Sequence, residues 1–178
     1  MQRLLIALLC AFGFQAAFAA DLVVPQKLNF NGETYYLNFQ NTEARPQVFE
    51  YTLRGETVEN WSKLLTLQYA KDMQIDLNAY GAIAQQQMQQ NPQILASDVF
   101  AQNDAIYIRQ VFKPVAEFPH YESNTHKSFI SKSCNNELIN YITAIRYPAE
   151  NTPLERIKQD NDQMMEKLLV DTWQPTCR

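Results

Sequence analysis

The chain reads as an α+β protein: a curved antiparallel sheet of about seven to eight strands with two helices packed on it. Three observations predict this. Short runs of alternating apolar and polar residues recur along the sequence, most of them are separated by turns of two to four residues, and only two stretches show helical spacing. Turns that short join antiparallel neighbours, because a parallel pair needs a crossover of a dozen residues or more.

The first hairpin is marked by Asn31-Gly32 between Leu28-Asn29-Phe30 and Tyr35–Phe39, since both turn residues tolerate positive φ. Phe49, Tyr51 and Leu53 then alternate with Glu50, Thr52 and Arg54 up to Gly55, and Leu65, Leu67 and Tyr69 alternate with Thr66 and Gln68. Each pattern places one face on a core and one toward solvent. Asp76 is the expected N-cap of a helix whose apolar side is Leu77, Tyr80, Ala84 and Met88, ended by Asn91-Pro92. Strands are expected again over 94–101 and 105–112, joined at Gln102-Asn103-Asp104, and over 128–134 and 137–147, joined at Asn135-Asn136. Between those pairs, residues 114–126 read as a polar loop. For the last helix Thr152 is the expected N-cap, with Pro153 in first position and Glu155 completing a capping box. Its apolar stripe runs through Leu154, Ile157, Met164, Met165, Leu168 and Leu169.

Residues 1–20 have the order of a secretory signal: Arg3, an apolar run from Leu4 to Phe14, then small residues with Ala17-Phe18-Ala19 as the cleavage pattern. Cys10 lies inside the apolar run and would leave with it. The expected domain is therefore 21–178, a single α+β unit located in the periplasm or secreted. Losing Arg3 moves the formal net charge from −4 to −5. A mildly acidic domain without a basic patch argues against nucleic-acid binding, and no second apolar segment is long enough to span a membrane. Cys134 and Cys177 are the two cysteines left, and in an oxidising compartment they are expected to pair.

The run Gly55-Glu56-Thr57-Val58-Glu59-Asn60-Trp61, continuing to Leu65-Thr66-Leu67-Gln68, resembles a segment of small uncharacterised secreted bacterial proteins. The order of elements is similar to the PsbP-like fold. That resemblance implies a curved antiparallel sheet flanked by helices, and mostly non-enzymatic accessory or assembly roles. No site residues carry over from it.

Chemistry is thinly signalled. The sequence contains no G-x-S-x-G, no phosphate-binding glycine loop and only four glycines. His120 and His126 are the two histidines, and with Glu122 they form the candidate metal ligands, although the six-residue spacing is not a ligand signature. Trp61, Phe118 and Tyr121 are candidate contact residues for a partner. No cofactor is called for. The preferred expectation is a non-catalytic periplasmic or secreted protein that binds a partner protein or small ligand. Its alternatives are a metal-assisted hydrolase using the His120/His126 loop, and an inhibitor or immunity protein acting against an envelope-targeting toxin.

Overall fold

A computed structural model describes residues 21–178, so the expected export signal, Cys10 included, lies outside the described residues. Eight strands and two α-helices follow one another: β1 (Lys27–Phe30), β2 (Glu33–Asn41), β3 (Gln47–Thr52), β4 (Lys63–Tyr69), α1 (Leu77–Gln90), β5 (Ile94–Gln102), β6 (Ala105–Phe112), β7 (His120–Ser131), β8 (Glu137–Pro148) and α2 (Leu154–Val170), with Lys132–Cys134, expected as strand, forming a 3₁₀ turn between β7 and β8. The eight strands form one sheet in the order β1-β2-β3-β4-β8-β7-β6-β5. It is two four-stranded meanders joined along β4 and β8, antiparallel at every step. Helix α1 carries the chain from the centre of the sheet to its far edge. The hairpin turns are built as the sequence implies: Asn31 and Gly32, Asn103 and Asp104, and Asn135 and Asn136 all take positive φ.

The sheet curls into a half-barrel. In a flat sheet β1 and β8 would stand four spacings apart, about 19 Å, yet the rings of Phe30 and Tyr141 meet edge to face at 5.7 Å. The concave inner face carries Leu28, Tyr35, Phe49, Tyr51, Leu65, Leu67, Tyr107, Phe129 and Ile139, all buried in one cluster. Met164, Met165 and Leu168 of α2 enter that cluster, and Ile157 packs on Val111 and Tyr147. After α2 the tail continues over the same face, where Trp173 stacks on Tyr141 at 5.2 Å. Cys134 and Cys177 are bonded, with Cα atoms 5.1 Å apart. Backbone hydrogen bonds from Asp21 and Val23 to Arg178 and Thr176 tie the first described residues to the tail.

Helix α1 lies on the opposite, outer face. Its Leu77, Tyr80, Ala84 and Met88 pack on Ile106, Ile108, Ile94 and Val99. Asp76 caps it, accepting from the Ala79 N–H at 2.7 Å. Gly81 lets it approach the sheet closely, since a Cβ there would sit 3.2 Å from Ile106 Cδ1.

Two local expectations are corrected. Residues 120–127 are strand rather than loop, because β7 runs from His120 to Ser131 between β6 and β8. Its inward residues Ser123, Thr125 and Lys127 are polar but buried: Thr125 bonds Thr143 at 2.6 Å, and Lys127 donates to the Asp171 carbonyl at 2.6 Å. Helix α2 begins one residue later than the capping box requires. Pro153 stays extended as the cap residue, with no side-chain cap, and its carbonyl accepts from Arg156 and Ile157.

Candidate functional site

The strand geometry of β7 separates the residues first suspected of holding a metal. His120 and His126 point to the same outer face, but six residues of strand put them about 20 Å apart. One ion cannot reach both. Glu122 lies between them, accepting from Asn124 Nδ2 at 3.1 Å and standing 3.9 Å from Arg146 Nε. Among the described residues there is no group of three or more histidine, cysteine or acidic side chains suited to a metal.

The suspected contact residues are dispersed as well. Trp61 is buried, its ring covered by the Arg146 guanidinium at 3.7 Å, and it packs on Leu64 and Ala144 at one end of the outer face. Tyr121 points inward and leans on the cluster of Val111, Tyr147 and Ile157. Only Phe118 is open to solvent, 59% exposed, with its ring against His120.

The outer face brings together a different set. Strand register lines up cross-strand partners in rows, and partners on neighbouring strands share a face. One row is Val48, Gln68, Asn140, Ser128; the next is Glu50, Thr66, Ile142, His126; a third holds Leu64, Ala144, Asn124 and Gln110. These rows are polar where the inner face is aromatic. Nine side-chain nitrogen and oxygen atoms are buried without a hydrogen-bond partner among the described residues. Six of them stand on the outer face of β7 and β8: His120 Nε2, Asn124 Oδ1, His126 Nε2, Ser128 Oγ, Asn140 Oδ1 and Arg146 Nε. Folded proteins satisfy nearly all buried polar groups, so so many on one face call for partners from outside the chain.

Next to these rows a recess of about 240 Å³ opens between α1 and the sheet, lined by Tyr80, Gln87, Asn91, Gln110, Phe112 and His126. Burial pushes the His126 imidazole down to about 4, so at neutral pH it is uncharged, with one ring nitrogen free to accept. Burial, and then the Arg146 charge, also lower His120. Glu50 is shifted the other way: burial first, then the Glu122 carboxylate, raise its carboxyl above the usual range. The arrangement offers fixed, mostly accepting polar atoms, of which the one on His126 borders the recess.

Apart from His120, His126 and Glu122, these residues were not singled out by sequence reasoning. A usable signal exists: His120 to Ser128 alternates without an apolar residue on the outward positions, which a solvent-facing strand and a recognition strand share.

The fold and this face define an α+β half-barrel with a polar outer surface beside its first helix. The chain belongs to an uncharacterised protein family, whose model matches residues 22–173. No curated protein and no solved structure matches it.

Proposed function

We propose that this protein is a non-catalytic, extracytoplasmic binding protein that takes a small polar ligand on the outer face of β7 and β8, beside α1. The observation that carries this reading is the gathering of unpartnered buried polar atoms there, next to a recess. A ligand that satisfies such atoms gains hydrogen bonds whose desolvation cost the fold has already met. The atoms are buried rather than projecting, which favours a small molecule over a protein surface as the occupant. A location in the periplasm or beyond is supported by the Cys134–Cys177 bond. Among the described residues no helix is long and apolar enough to cross a membrane. The resemblance in element order to the PsbP-like fold, read from the sequence alone, supports the same non-enzymatic kind of role.

The test is a thermal-shift screen of small polar metabolites against the protein and a variant carrying Asn124→Ala with Ser128→Ala. A ligand at a hundred times its Kd should stabilise the protein by about 2.7 kcal/mol, and the variant should lose most of that shift while remaining folded by circular dichroism. Hits that stabilise both proteins equally, or consumption of the ligand by the purified protein, would overturn the reading.

A further inference from the structure

A second recess lies on the other side of the sheet, between α2 and the strands β5 and β6, and it is separate from the polar rows of the outer face. We infer that this cleft binds a neutral sugar ring, whose hydroxyls bond Asn161, Asp98, Asp162 and Lys158 while its C–H face rests on Ala96 and Val111.

The cleft has a volume of about 250 Å³. That is below the roughly 300–1,000 Å³ of pockets that take drug-sized ligands, so it suits one ring rather than an oligosaccharide.

Asn161 makes it more than a gap in the packing. The residue is 4% exposed, and its Nδ2 is spent on Ser123 Oγ at 2.7 Å and the Asn124 carbonyl at 3.1 Å. Its Oδ1 has no hydrogen-bond partner among the described residues, yet it is not one of the atoms sealed from solvent. The oxygen therefore opens on the cleft that the residue lines. The amide is held in place by its donors, and an amide oxygen so enclosed calls for a donor in return.

The charges around that oxygen balance. Arg109 donates to Asp98 at 2.7 Å with one arm of its guanidinium and to Asp162 with the other, and Lys158 donates to Glu155 at 3.1 Å. The second oxygen of each aspartate and two N–H groups of Lys158 stay available. A cation entering the cleft would meet Arg109 and Lys158, and an anion would have to draw Arg109 away from two carboxylates. A zwitterion would compete with these ion pairs at both of its ends. A neutral polyol disturbs none of them: its hydroxyls donate to Asn161 and the aspartates and accept from Lys158. Ala96 and Val111, paired across β5 and β6, line the same cleft and supply the apolar patch that the C–H face of a sugar ring covers.

The experiment is an amide chemical-shift titration of the ¹⁵N-labelled protein with D-glucose, D-galactose and D-mannose, then with cyclohexanol and glycine. At least one hexose should move the amides of Ala96, Val111 and Asn161, and cyclohexanol and glycine should not. Ala96→Leu fills the cleft from an edge strand and should weaken the effect at least tenfold, and its amide spectrum reports directly that the variant is folded. Glu43→Gln, and the Asn124→Ala with Ser128→Ala variant of the outer face, should leave the effect unchanged. Maltose identifies the source: binding as tight as the hexose's places the end of a glycan in the cleft, and weaker binding a free sugar. The sugar assignment is overturned by silence from all three hexoses, by equal titration of Ala96→Leu, by equal binding of cyclohexanol or glycine, or by loss of the effect in the outer-face variant. The reading of the outer face stands or falls separately, on its own metabolite screen.

Discussion

The two faces of one sheet are built on opposite rules. The inner face is filled by aromatic and aliphatic side chains, and most of its polar groups are answered, the Tyr51 hydroxyl being an exception. Asn161 of α2 donates to Ser123 Oγ at 2.7 Å and to the Asn124 carbonyl at 3.1 Å, and buried Glu137 accepts from Tyr69 and from the Asp72 N–H. The outer face of the same two central strands leaves six polar atoms unanswered. Stability is therefore concentrated on the inner face, and the outer face is where the fold tolerates unsatisfied groups. Such a division is expected where a surface serves recognition and the scaffold behind it stays rigid.

The largest effect that should sharpen this contrast is reduction of the Cys134–Cys177 bond, which releases the tail from the inner face. A sequence separation of 43 residues corresponds to about 4 kcal/mol by chain entropy. Urea unfolding with and without reductant should show the unfolding free energy fall by that amount, and an unchanged value would place the stability elsewhere. Next, Asn161→Ala strips partners from buried inner groups and should cost about 1–3 kcal/mol, read from the same curves. Ser128→Ala, on the outer face, should cost nothing or stabilise by up to about 1 kcal/mol, because its hydroxyl has no bond to lose. If the two substitutions destabilise equally, the contrast between the faces is wrong.

A smaller and pH-dependent effect should come from His126. Its folded pKa is held below the unfolded value near 6.5, at about 4, so acid protonates the unfolded chain first. The contribution of this residue is complete above pH 6.5 and is lost as pH falls from there toward 4. His126→Gln should flatten the pH dependence of the urea midpoint in that window. A slope identical to the parent's would show that the imidazole is not buried as a neutral ring.

Much of the fold was legible because its signals are local. Asn31-Gly32, Asn103-Asp104 and Asn135-Asn136 announce turns by their tolerance of positive φ, and Phe49/Tyr51 and Leu65/Leu67 announce an inward face by alternation. The first half of β7 was not legible. Ser123, Thr125 and Lys127 are buried by α2, an element far along the chain, so a stretch without apolar residues was read as loop. The same long-range register conceals the site: Glu50, Thr66, Ile142 and His126 become neighbours only when β3, β4, β8 and β7 assemble in that order. The start of α2 was missed for a local reason, since an extended Pro153 takes the cap position that the motif assigns to Thr152.

The latch between Asp21 and Arg178 has a practical consequence for handling the molecule. Both ends of the described chain emerge side by side, on the side of the sheet where Trp173 and Cys177 lie. A surface linker attached at Arg178 would thus point away from α1 and His126. Immobilised through Arg178, the protein would display the polar rows to solution, a favourable orientation for capturing what they bind.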